Sequence, residues 1–95
     1  IHDMARVLQT TAHFRVAALV CINKADIYPA GTAQIEAYCR DEGIKVVGRI
    51  PFDAAVTDAM VRGEPVTAFR PESPAAVALA AAWQRVADRL NEGAA

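Results

Sequence analysis

The chain lacks a phosphate-binding loop of the form Gly-x4-Gly-Lys-Ser/Thr. Nothing in it therefore supplies the backbone N–H cradle and lysine that such a loop offers a triphosphate. No apolar run approaches the ~20 residues of a membrane span. No Cys-x2-Cys pair is present to hold zinc or an iron–sulfur cluster. The two cysteines, Cys21 and Cys39, fall in an apolar strand and a helix and read as reduced, buried thiols of a cytoplasmic protein. Charge of one sign is also missing. Ten basic and eleven acidic residues leave a net charge of −1, so there is no clustered basic face for a nucleic acid. There is no repeat, no low-complexity tract and no signal peptide. The sequence opens at Ile1-His2-Asp3 without an initiator Met and reads as a piece of something longer.

What the chain does have is apolar content, 54% of its residues, above the globular share of roughly 45–50%. Much of the excess is alanine. It implies more buried surface than a chain this short normally has. Ile1, Met4, Leu8 and Ala12 follow a helical period and predict a helix over about 2–13. The unbroken run Val16-Ala17-Ala18-Leu19-Val20-Cys21-Ile22 reads as a parallel strand covered on both faces. Pro29 and Gly31 then read as loop breakers. A helix over about 32–42 follows, with Thr32 able to cap it, Ile35, Tyr38 and Cys39 on one face, and Gly43 in the left-handed position at its end. A second strand spans about 45–50, stopped by Pro51. Asp53 caps a helix over about 54–62, with Val56, Ala59 and Met60 facing inward and Gly63 closing it. The stretch Glu64–Glu72 is a connection. Ser73-Pro74 starts a last helix over about 74–91, with Leu79, Trp83, Val86 and Leu90 on one stripe. The tail Asn91–Ala95 reads as frayed.

This alternation specifies an α/β fold, a short parallel sheet flanked by helices. Two strands are too few for a sheet that usually has about four to six. The rest must come from a longer chain or from a second copy. The chain is thus one domain fragment, 1–95.

Two polar clusters close the strands. Asn23-Lys24-Ala25-Asp26 ends the first; Gly48-Arg49-Ile50-Pro51-Phe52-Asp53 ends the second. In open α/β sheets ligands sit at this carboxyl edge. An aspartate there can accept the paired N1–H and N2–H of guanine. The lysine stem can lie along a base and ribose, and the asparagine amide can bond a ring nitrogen. The backbone of the second turn can pack against a base plane. Each cluster also has a plainer reading: an Asx-turn loop for the first, and a strand–proline–cap junction for the second.

With Ala59-Met60-Val61-Arg62-Gly63-Glu64-Pro65-Val66, these segments resemble the C-terminal half of the nucleotide-binding domain of MinD/ParA-type ATPases, grouped with the cobyrinic acid a,c-diamide synthase domain. Within that group the chain is most similar to the branch whose fuller members carry an inserted ferredoxin-like module. The resemblance implies a three-layer P-loop fold, ATP and Mg²⁺ in the complete domain, a homodimer around sandwiched nucleotides, and hydrolysis that switches a surface for a protein partner or cargo. Carried over, Asn23 is the adenine-contacting asparagine, Lys24 and Asp26 complete the base-side loop, and Ile50, Pro51 and Phe52 lie against the base with Asp53 beside them. Arg62, Gly63, Glu64 and Pro65 position the next connection. The half with the Lys-rich P-loop and the magnesium-binding aspartates is absent, as are the ferredoxin insert and the terminal membrane helix of MinD proteins. The fragment alone is therefore not expected to be catalytic, to bind nucleotide tightly or to hold a metal.

Two other readings stay open. One is a GTP-binding segment using Asn-Lys-x-Asp, against which stands the Arg49-Ile50-Pro51 turn. The other is a non-catalytic, self-associating module. His2 and His13 have no second ligand at metal spacing. Arg40, Asp41 and Glu42 form a solvated helix end. Trp83 suits core or dimer packing, and Arg70 sits between loop prolines.

Overall fold

A computed structural model of the chain describes residues 2–94. Ile1 and Ala95 lie outside the described residues, as do the side chains of His2, Gly93 and Ala94. The order is α1 (His2–His13), β1 (Leu19–Asn23), α2 (Pro29–Asp41), β2 (Lys45–Ile50), α3 (Ala54–Arg62), α4 (Val66–Phe69) and α5 (Pro74–Ala94). The fold is α/β, with β1 and β2 parallel in one two-stranded sheet. Leu19 pairs with Lys45 and Asn23 with Ile50, and the register slips between Val20 and Cys21.

Local chemistry sets most boundaries. The Asp53 carboxylate accepts from Ala55 N at 2.9 Å and caps α3, and Gly63 ends it at φ 68°. Gly43 turns out of α2 at φ 71°. Ser73 Oγ accepts from Ala76 N at 3.2 Å and caps α5, with Pro74 in the first helical position. Proline there needs no N–H partner.

Several expectations are corrected. β1 begins at Leu19, because Arg15 at φ 56° turns the chain and leaves Val16 58% exposed. It is not covered on both faces either; only Ile22 is buried, and Cys21 is exposed. A parallel strand reads as fully apolar where further layers cover it; here an open groove lies between β1 and α1. α2 starts at Pro29, so Pro29 opens the helix and Gly31 lies within it. Thr32 does not cap; its hydroxyl donates to Ala25 O at 2.7 Å. The stretch after Gly63 contains α4, closed by Phe69 N donating to Pro65 O. The tail stays helical to Ala94, with Arg89 and Glu92 paired across one turn at 3.4 Å.

The core is small and built of alanines. Ala55, Ala59, Val66 and Ala76 pack together, joined by Phe69. On α5 the buried positions are Ala75, Ala76 and Ala82, while Leu79, Trp83 and Leu90 face outward. Alanine wins because α5 lies close on β2. A Cβ on Gly48 would stand 2.8 Å from Ala82 Cβ, and Arg85 donates to Val47 O at 2.6 Å. The high apolar content therefore does not mean an unusually large buried area. The radius of gyration is 14.8 Å over a slab 40 × 36 × 19 Å, against about 12 Å for a compact chain of this length.

Candidate functional site

The two polar clusters meet. Ala25 N donates to Ile50 O at 2.9 Å, so the loop after β1 is pinned to the last residue of β2. Phe52 N donates to Asp26 Oδ1 at 2.7 Å, a second tie one turn further on. Thr32 holds Ala25 from the α2 side. Lys24 takes φ 52° and its carbonyl accepts from Ile27 N, which folds the loop back on itself. A non-glycine residue in this region carries local strain that surrounding bonds must hold, and these ties do so.

Beside the ties lies a crevice of about 150 Å³, lined by Asn23, Lys24, Pro51, Phe52 and Asp53, with Val56, Thr57 and Met60 of α3 as its far wall. Five of the seven residues expected at a site thus share one opening. The other two do not line it. Ile50 is 5% exposed, its side chain in the core and its carbonyl committed to Ala25. Asp26 instead lines a groove with Ala25, Pro29, Thr32, Ala33, Glu36 and Arg40.

The crevice is mostly apolar. Phe52, Val56 and Met60 are all exposed there. Asn23 Oδ1 accepts from Lys24 N at 2.9 Å, which leaves the amide N–H pair as donors toward the opening. Asp53 also lines it, but both carboxylate oxygens are engaged: Oδ1 with Ala55 N, and Oδ2 with Ala75 N at 3.0 Å. These backbone donors, Ala75 foremost, hold its pKa below the usual carboxylate range, helped by Ser73 and the charge of Arg70. Across the sheet end, Arg49 Nε donates to Glu36 Oε1 at 2.7 Å and its Nη2 meets Oε2. That pairing lowers the Glu36 pKa and joins α2 to β2.

The far wall escaped sequence reasoning. Val56 and Met60 belong to a true stripe, but it faces the crevice, and Ala55 and Ala59 take the core. The signal was present: 53, 56, 57 and 60 keep the helical period from the cap onward. A larger apolar groove, about 650 Å³, runs between α1 and β1 from Met4 to Ile22.

Among the described residues no group of three or more His, Cys, Asp or Glu could hold a metal ion. No helix among them is long and apolar enough to cross a membrane.

Comparison with known proteins finds partial relatives. The chain is 34% identical over 71 residues to a protein of Drosophila willistoni named cytosolic Fe-S cluster assembly factor Nubp1 homolog, a stretch covering 75% of this chain and 22% of that protein. It is 35% identical over 72 residues to the Nubp1 homolog of Drosophila grimshawi, covering 76% and 22%. The Drosophila melanogaster homolog is 33% identical over 64 residues. The chain spans about a fifth of the length of the curated relatives it matches. No family model matches the chain, and no solved structure matches it significantly.

Proposed function

We propose that the chain is the C-terminal segment of a P-loop ATPase domain of the MinD/ParA-like group, and that it supplies the base side of an ATP site. The observation that carries this is the shared crevice of Asn23 and Lys24 with Pro51, Phe52 and Asp53. The partial likeness to Nubp1 homologs supports the same family at a coarse level. In this reading the purine plane lies against Phe52, Val56 and Met60. Base–aromatic contact of that kind contributes roughly 1–3 kcal/mol. The Asn23 amide N–H pair donates to a ring nitrogen, and Pro51 fixes the angle of the turn.

The position of Asp26 favours adenine. Guanine recognition by Asn-Lys-x-Asp needs a free aspartate facing the base. Here one Asp26 oxygen accepts from Phe52 N, and the residue does not line the crevice. Asp26 and Ile50 then act by tying the loop and the turn together.

The residues present do not fit Mg²⁺, which requires hard oxygen ligands beside a phosphate chain. Phosphates and metal would be held by parts of the parent outside this chain, in the cytoplasm. Cys21 and Cys39 are both free, one exposed and one buried, and make no cluster site. An iron–sulfur cluster would be cargo of the parent. Hydrolysis and dimerisation likewise belong to the complete domain.

Fluorescent ATP and GTP analogues titrated into the parent protein test the reading. Tighter ATP binding, weakened by Asn23→Ala, supports it. Tighter GTP binding, abolished by Asp26→Ala, replaces it with a GTPase segment. A second reading, self-association without nucleotide, is favoured by the outward Leu79, Trp83 and Leu90 of α5. Oligomers in light scattering together with no nucleotide heat from the parent would establish it instead.

A further inference from the structure

Arg62 and Arg70 come from different elements, the last turn of α3 and the end of α4. Their guanidiniums nevertheless converge on one ring, 5.3 and 5.0 Å from the centroid of Phe69. Gly63 makes the convergence possible by reversing the chain at φ 68°. Arg70 N then closes α4 onto Val66 O. Among the described residues neither arginine forms an ion pair. Ring attraction of a cation is weak at an exposed site, and two like charges brought together still repel. A guanidinium held against a ring by its π face keeps N–H donors free for a carboxylate.

The two arginines line a crevice of about 220 Å³ with Asp58, Val61 and Phe69. Val61 is 84% exposed and Phe69 half-buried, so an apolar floor adjoins the cationic pair. Among the lining residues the two arginines and Asp58 sum to one net positive charge, with Asp53 in electrostatic reach of Arg70. That balance suits a singly charged carboxylate better than a phosphate dianion. The place is separate from the crevice at the strand ends. Asp58 and Arg62 stand about 100–160° round α3 from Val56, Thr57 and Met60 at 100° per residue, with Val61 between the two groups.

We propose that Arg62, Phe69 and Arg70 form a docking site for an acidic peptide segment of a partner protein. One carboxylate sits between the two guanidinium forks, and a neighbouring aromatic or aliphatic side chain covers Val61 and the edge of Phe69. Charge complementarity and the adjoining apolar floor together select this occupant. A free small anion would use the forks and leave the floor bare.

The test uses a fluorescein-labelled peptide of alternating Glu and Phe, a control with Lys in place of Glu, and inorganic phosphate. Polarisation should rise with the Glu peptide alone and fall with added salt. The Arg62→Gln/Arg70→Gln double variant should bind it about tenfold more weakly, as expected for the loss of two exposed charge pairs. Equal binding by that variant overturns the proposal. So does phosphate binding with none of the peptide. Should circular dichroism show the Gln variant unfolded, Arg62→Lys/Arg70→Lys decides, since it keeps the charge and loses the planar fork. Weaker peptide binding there supports the site, and unchanged binding overturns it.

Discussion

Asp53 Oδ2 accepts a hydrogen bond at 3.0 Å from the backbone N–H of Ala75, twenty-two residues further along the chain. Its other oxygen caps α3. One carboxylate therefore serves the first turns of two helices, α3 and α5, where aligned N–H groups favour negative charge. It also fixes the wall of the strand-end crevice. Asp53→Ala should lower the melting temperature more than removal of an ordinary single cap. Asp53→Asn, which keeps an acceptor, should recover part of the loss. Thermal unfolding followed by circular dichroism checks both.

The same carboxylate makes stability depend on pH. Asp53 and Glu36 both have pKa values lowered in the folded chain, by the Ala75 and Ala55 N–H groups and by Arg49 respectively. A depressed folded value contributes stability above the unfolded pKa, near 4. That contribution is lost as pH falls from there through the folded value. The melting temperature should therefore be nearly level from pH 7 to about pH 5 and drop below about pH 4. The drop should shrink in Asp53→Asn.

Gly48 sets the distance between sheet and helix. A Cβ there meets Ala82 Cβ at 2.8 Å, closer than real carbons approach. Gly48→Ala should destabilise by about 1–3 kcal/mol, the usual cost of overpacking. Pairing it with Ala82→Gly should relieve the clash, less the ~1 kcal/mol cost of glycine within a helix. A non-additive double-mutant cycle in urea is the measurement.

At the crevice, Asn23→Ala in the parent should weaken an ATP analogue about tenfold, the loss of one hydrogen bond near the upper end of the usual range. Phe52→Ala should weaken it by roughly 1–3 kcal/mol through lost stacking. Equilibrium titration of both variants, against an Arg49→Ala control outside the crevice, reads out the difference.

The sequence made local punctuation legible. Asp53 and Gly63 bound α3 as expected, Gly43 ends α2 and Pro51 follows β2, because caps and left-handed positions depend on a few neighbouring residues. It also brought together Asn23 with Pro51 and Phe52, since both clusters follow parallel strands. Orientation was not legible. Periodicity states which residues of α3 and α5 align, not which side meets the sheet. The close approach at Gly48 admits Ala82 and turns Leu79 and Trp83 outward. Pro29 was ambiguous for a similar reason: proline both ends a loop and opens a helix. α4, at four residues, is too short to show a period.

Trp83 is the chain's one tryptophan and stands 64% exposed on the outer side of α5. Its indole emission is thus a built-in optical reporter for the bare flank of that helix. A blue shift on adding the remainder of the parent, or on raising concentration, would register contact there without any label. Ligands entering between the strand ends would leave the signal still.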